Sequence, residues 1–437
     1  MALVLQAKDT LEWAYRGEGF VNLVLAYCGK SPDFVGKVLR MRKVPKYGSE
    51  YENGHSALTM HECLLWGELE GLVSAPTGEI AEQLYLQQVM CPLLGSKHVD
   101  AGVIIIAFQK FGGAVMVLAE STHNRTVANP KNILLLGMKF ISITKKIQEN
   151  HLSFETLPSF LQQPKCGFLP ISKFIAPENV VKRSITRFKM HQSLKLNQGK
   201  ISQISKYDPL DVFSGSKDRV QNAMKSLFLT PQNNFQVFLN GSLIFGGLGG
   251  GADTTCMVDQ EFDYSLKHVI RAEDGMRTKY FLELVTESVF KSGLLSLLLE
   301  VQKLDIFDIE GAIHSYYDIV SQPCMICRQK GVKERYASLH SIPRDQSLKL
   351  VRVYLISATA KDLSHIGLAG KLLYLVLPSF ETSLIMASFI DMDMKPLKKM
   401  ERHYKLDQQI VSCYVQMKRA AKEVEDRESI KETPQIN

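Results

Sequence analysis

Arg183, Arg187, His191 and Lys195 are four basic side chains spaced four apart. At 3.6 residues per turn, a step of four drifts by only about 40°, so a helix would carry all of them on one face. Stacked like charges destabilise a helix by about 0.2–0.5 kcal/mol per pair. A dense anion facing the stripe reverses that sign. A solvated basic face is the competing reading. A second group is His314, Cys324, Cys327 and His340. Two thiolates two residues apart, with flanking histidines, match a closed tetrahedral Cys₂His₂ zinc set. The spacing is not that of a DNA-reading finger, whose helix carries both histidines. A chance CxxC beside two unrelated histidines competes with it.

Asp362 and Asp391 each follow an apolar run, ISATAKD and SFIDMDMKP, and are expected at strand ends. Carboxylates so placed can hold Mg²⁺ on nucleotide phosphates or take a proton from an attacking hydroxyl. Lys395, Lys398, Lys399, Arg402 and His403 follow Asp391 closely. Acid, metal and dense base together suit phosphoryl transfer onto an anionic substrate. A lone strand-end aspartate, though, more often caps the next turn. Arg16-Gly17-Glu18-Gly19 reads as a glycine turn between strands. Such a turn can bring backbone N–H groups to phosphates, and Lys37 and Arg40 on the next strand can reach the same oxygens. A short G-x-G is more often only a turn. Asn233 and Asn234 can bond phosphate or hydroxyl, or simply serve the turn after Pro231.

The elements that must position these groups read as mixed α and β. The chain has 437 residues, enough for two domains or one large bilobal one. Apolar content is 45% and charged content 22%, ordinary for a globular protein. A net charge of +7 suits an anionic ligand but is too mild to imply nucleic acid. Few aromatics interleave with the basic residues, which counts against base stacking. No run is long enough to span a membrane, and MALVLQAKDT is not a signal peptide. The scattered cysteines fit a reducing compartment. Strands are predicted over 12–42 around the glycine turn, and two more in 101–117. Helices are predicted at 79–93, 219–229, 277–301 and 307–320. Residues 121–163 look polar and irregular, and GGLGGG at 246–251 reads as a linker. Residues 348–360 shift from helical to strand-like character. LLYLVLP and SLIMASFIDM resemble two strands, and the charged tail after Met417 is expected to be disordered.

At the level of longer blocks the chain resembles the plant-type inositol-pentakisphosphate 2-kinases. The blocks are YRGEG..NLVLAY, FVGKV.R, PLLG.KHVDAG, PKCGFLP.S.FI, RFKMHQ.LKL, YDPLD.FSGSK, TPQNNF.VFLNGSL, QKLD..DIEGAIHSYYD, QPC.IC, ATAKD and FID...KPLK.ME..YKLD. They run in order and cover most of the chain except 103–163 and the tail. The resemblance implies transfer of the ATP γ-phosphate to the 2-hydroxyl of inositol 1,3,4,5,6-pentakisphosphate, giving phytate. It implies an α+β, bilobal inositol-polyphosphate kinase fold, distantly protein-kinase-like. An N-lobe over 1–160, a C-lobe with a zinc site over 161–417, a disordered tail over 418–437 and nucleotide between the lobes are expected. Arg16, Gly17, Gly19, Lys37 and Arg40 would meet ATP phosphates. Asp391 would hold Mg²⁺, and Asp362 would be the base or a second metal contact. Lys165, Arg187, His191, Lys195, Asn233, Asn234, Lys395, Lys399 and His403 would bind substrate phosphates. His314, Cys324, Cys327 and His340 match the family's zinc ligands. A monomer of the cytosol or nucleus, without nucleic-acid or membrane partners, is expected.

The chain departs from the family pattern at its centre. Where the family has Glu-Ile-Lys-Pro-Lys, this chain has Leu161-Gln162-Gln163-Pro164-Lys165. The missing Glu would bond the nucleotide, and the missing Lys would lie near the transferred phosphoryl group. Leu has no polar atom and Gln no charge to replace them. Phe20 stands where the family prefers Gly or Ala. Lys399 replaces an Arg and its bidentate fork, and His403 replaces a Tyr. The family's Trp-Arg-Val and Asp-His-Ser blocks have no counterpart in 103–163.

Overall fold

Each of two compact units draws on three separated stretches of chain: 1–163, 231–297 and 363–394 in the first, and 164–230, 298–362 and 395–437 in the second. Sequence suggests boundaries after residues 160 and 417; the segments of the two units interleave. The computed structural model describes residues 4–5, 11–18, 22–31, 34, 37–42, 57–99, 101–102, 106–107, 139–142, 158–239, 242–246, 259–331, 334–368 and 386–431. Among them no helix is long and apolar enough to cross a membrane.

The first unit is built on antiparallel sheets. The short strands β1 (Val4–Leu5) and β5 (Ile106–Ala107) pair in parallel. Apolar alternation in WAYRGE, NLVLAY and KVLRMR gives β2 (Trp13–Glu18), β3 (Asn22–Tyr27) and β4 (Lys37–Arg42), as predicted. With β6 (Lys139–Ser142) they form a four-stranded antiparallel sheet. A five-stranded antiparallel sheet has the order β11-β10-β7-β8-β9. Its strands are β7 (Pro158–Gln162), β8 (Phe235–Leu239), β9 (Ser242–Phe245), β10 (Ser364–Leu368) and β11 (Met386–Ile390). Strands β6 and β7 correct the irregular reading of 121–163 where it is described; 121–138 and 143–157 lie outside the described residues. So do 372–378, 103–105, 108–117 and most of the 246–251 glycine run. One face of β7 supplies Phe160 to a train of rings, Phe160–Phe235–Phe245–Phe262–Phe281, with centroids 5.0–6.4 Å apart. Burying each such ring contributes about 1.5–3 kcal/mol. Gly367 pairs with Phe160, and a Cβ there would come within 2.4 Å of that ring.

The second unit is helical. In the Asp308–Ile319 helix eleven of twelve residues are buried, which a helix achieves only when packed on several sides. It packs against Arg344–Asp362 and Met400–Lys431. Residues 348–360 are helical throughout, against expectation. Ser347, Leu350, Val351 and Tyr354 are buried at helical spacing, and this periodicity outweighs the β-branched content. Asp362 therefore ends a helix, not a strand. The helix predicted over 277–301 stops at Lys291 and restarts at Leu294, with Gly293 between at φ 67. Residues 418–431, expected to be disordered, continue the Met400 helix. The helices predicted at 79–93 and 219–229 are present, the former with a π-helical turn at Leu86–Met90.

Candidate active site

The basic stripe begins one turn later than its spacing suggests. Thr186 caps the Arg187–Asn197 helix, its hydroxyl accepting from the Lys189 N–H. Arg183 ends the preceding 3₁₀ segment and donates to the Ser172 carbonyl at 3.0 Å. The stripe is thus Arg187, His191 and Lys195, all half-buried. On the other face Met190 and Leu194 pack with Ile410, Val411 and Cys413 of the Met400 helix.

Within the second unit these groups cluster with further cations, and Asp362 lies beside them. Asp362 has a side chain 65% exposed and accepts from Lys395 Nζ at 2.6 Å; Lys395 is 18% exposed. The protein packed around this partly exposed carboxyl would raise it, but Lys395, Lys165 and Arg187 hold it below its ordinary value. Lys165 falls to about 8, through burial and the nearby Lys195 and Lys395, with Asp362 opposing. His191 falls to about 4, through burial and the cations Arg187, Lys195, Lys165 and Lys200. His403 falls to about 4, through burial and the cations Lys395, Arg187 and Lys399, against Asp362. Burial first, and neighbouring positive charge second, depress these groups, and a polyanion would oppose both. Of the sequence-predicted substrate ligands, Lys165, Arg187, His191, Lys195, Lys395, Lys399 and His403 come together here; Lys200 joins them.

Lys165 is held by residues that spacing did not reveal. Its φ is 64, a left-handed conformation rarely adopted by a long side chain. The fully buried Gln302 donates to its carbonyl at 2.8 Å and to that of Ala360 at 3.1 Å, while accepting from the Gly167 N–H at 2.8 Å. Tyr207 donates to the Pro164 carbonyl at 2.9 Å. One amide thus ties the Lys165 loop to the helix end that carries Asp362. A glutamine in a helical run gives no signal of this from sequence.

The other predicted groups belong to the first unit. Asp391 directly follows β11, as expected, at φ 60. Arg40 on β4 lies 3.6 Å from Asp391 and 2.8 Å from Asp393, a carboxylate the motif reading passed over. Burial lowers the Arg40 guanidinium, but Asp393, Asp391 and Glu82 outweigh it and the net shift is upward. Arg16 and Gly17 fall on β2 and Lys37 opens β4; Gly19 lies outside the described residues. Asn233, exposed, and Asn234, buried, stand at the entry to β8 in the first unit. The burial alternation of β7 sets Leu161 on the face opposite Phe160 and Gln162. Gln162 is fully buried, and among the described residues neither its amide oxygen nor its nitrogen has a hydrogen-bond partner.

The four predicted metal ligands do converge. His314, Cys324, Cys327 and His340 offer atoms that all lie within 4.8 Å of one another. His314 Nδ1 is 3.2 Å from His340 Nε2, 3.4 Å from Cys324 Sγ and 3.5 Å from Cys327 Sγ. A zinc tetrahedron with ordinary bond lengths has edges of about 3.3 Å between nitrogens and about 3.6 Å between nitrogen and sulfur. The donor set therefore fits such an ion. His340 Nδ1 lies 2.8 Å from Asp318, the orientation a metal-bound imidazole requires. Burial and the adjacent Cys324 push the Cys327 thiol up to about 12, a penalty that a coordinated cation relieves.

An α+β scaffold that gathers this many cations in one unit has the chemistry of a class of proteins that handle polyanionic ligands. Comparison with known proteins narrows the class. The family model described as inositol-pentakisphosphate 2-kinase matches residues 15–409. The chain is 45% identical to an inositol-pentakisphosphate 2-kinase of Arabidopsis thaliana over 96% of its length and 97% of the relative's. It is 40% identical to the enzyme of that name from Oryza sativa subsp. indica, covering 95% of this chain and 96% of the relative. For that of Danio rerio the identity is 27%, over 95% of each. The chain belongs to the inositol-pentakisphosphate 2-kinase family, on its plant side.

Proposed function

We propose that the protein transfers the γ-phosphoryl group of ATP to the 2-hydroxyl of inositol 1,3,4,5,6-pentakisphosphate, yielding inositol hexakisphosphate. The cation excess around Asp362 carries this reading: a substrate with five phosphates supplies the negative charge the group lacks. Lys165, Arg187, His191, Lys195, Lys395, Lys399 and His403 bind substrate phosphates, with Asn233 and Asn234 as neutral donors. Asp362, kept ionised by three cations, orients the attacking hydroxyl and receives its proton. Arg40, with Arg16, Gly17, Gly19 and Lys37, takes the nucleotide phosphates. Asp391 is the ligand for Mg²⁺, which when bound neutralises charge on the triphosphate. Zn²⁺ held by His314, Cys324, Cys327 and His340 is structural, because four protein ligands leave no open position. A bilobal kinase-like arrangement, a monomeric state and a location in cytosol or nucleus complete the reading.

Leu161 and Gln163 stand where a nucleotide-bonding Glu and a phosphoryl-facing Lys are expected from the family. One charge aimed at the transition state is commonly worth roughly 10²–10³ in rate. The test is phosphotransfer to inositol pentakisphosphate by the protein beside its Leu161→Glu/Gln163→Lys variant. Both form hexakisphosphate, and the variant is faster by roughly 10²–10³. Absence of product from both contradicts the assignment; equal rates contradict the role given to the missing charges.

A further inference from the structure

A second charged centre lies in the same unit, and it is buried. Lys182 donates to Asp308, to Asp407 at 2.7 Å and to Glu310 at 3.3 Å. The Asp407 oxygen that Lys182 does not use lies 3.3 Å from Arg187 Nη1. Asp407 is 5% exposed, whereas the Arg187 side chain is 41% exposed. Asp407 therefore grips one edge of the guanidinium and leaves the rest of the fork outside. The grip is itself anchored: three carboxylates converge on Lys182 from the Asp308 helix and the Met400 helix. Asp407 also follows His403 by one helical turn, so the same helix presents a ring to the basic group and braces its arginine.

We propose that Asp407 is a positioning residue for the anion site, acting through Arg187 and braced by Lys182. A free arginine side chain carries about 2 kcal/mol of rotamer entropy. Fixing one edge before the ligand arrives removes part of that loss and aims the remaining N–H groups at phosphate. The inference deepens the functional reading and rests on it.

The test is a mutant cycle read by calorimetric titration of inositol pentakisphosphate, without nucleotide. It uses the protein, Asp407→Asn, Arg187→Ala and the double variant. Asp407→Asn is expected to weaken binding roughly tenfold through the lost charge-assisted bond. In the Arg187→Ala background the same change is expected to have no further effect, which general damage to the fold would not reproduce. If Asp407→Asn does not fold, Asp407→Glu takes its place; it shifts the carboxylate by one methylene and is expected to weaken binding only when Arg187 is present. Effects that multiply independently, or wild-type affinity in the single variant, overturn the inference alone. Absence of pentakisphosphate binding by the unsubstituted protein overturns the functional reading and this inference together.

Discussion

Lys182 and Lys165 are lysines of one unit, both withdrawn from solvent, and their environments are opposite. Three carboxylates face Lys182, and after the burial that would lower it the net shift of its pKa is upward. Lys165 falls to about 8 through burial and the cations Lys195 and Lys395, opposed by Asp362, which is itself paired with Lys395. At the first centre carboxylates outnumber the lysine, and the cation is supplied by the protein itself. At the second, cations outnumber the carboxylates that shift them, an excess that an anionic ligand would offset. Charge alone, or burial alone, does not separate structure from function here; the local sum of charges does.

The comparison breaks most visibly at Lys182. Lys182→Met leaves Asp308, Glu310 and Asp407 buried together without their cation, and is expected to destabilise the fold by about 3–5 kcal/mol in chemical denaturation. Lys165→Met removes a cation from an over-charged group. Its denaturation midpoint is expected to stay or rise, while affinity for inositol pentakisphosphate falls at least roughly tenfold. Equal stability losses at the two lysines would erase the distinction. Gln162, on β7 of the first unit, is part of neither centre and offers a control. Replacing this unpartnered amide by the family's Ile is expected to add about 1–3 kcal/mol of stability without touching pentakisphosphate affinity.

The smallest effect sharpens the charge argument through protons. Folded His191 and His403 sit near 4, against about 6.5 in an unfolded chain. Between those values the unfolded chain binds protons that the folded one refuses, so these residues remove stability as pH falls from 6.5 towards 4. A bound polyphosphate raises both histidines, so binding takes up protons in that window and tightens as pH falls. Calorimetry at about pH 5.5 in buffers of different ionisation enthalpy is expected to show up to roughly two protons fewer taken up by a His191→Asn/His403→Tyr variant. Identical uptake would mean that the histidines do not face the ligand.

Much of the site was legible in the sequence because its residues sit on regular elements with a readable period. The Arg187, His191 and Lys195 step survives in the structure; Arg183 does not, because Thr186 caps the helix after it. The four metal ligands were readable as chemistry, although their convergence depends on three separate helices. The segment before Asp362 misled because Val351, Val353, Ile356 and Thr359 suggest a strand, whereas burial at three- and four-residue spacing makes it a helix. Gln302, Tyr207 and Asp407 were illegible. Their contacts join residues from 43 to 225 positions apart, and no local pattern encodes such a pairing.

The central claim is that the cation excess around Lys165 is an inositol-phosphate site. Calorimetric titration of inositol 1,3,4,5,6-pentakisphosphate into the protein and into its Lys165→Met/Lys395→Met variant tests it most directly. One ligand per chain is expected to bind the protein, with affinity at least roughly a hundredfold weaker in the variant, as two charge-assisted phosphate contacts require. No binding, or equal binding by a folded variant, would contradict it.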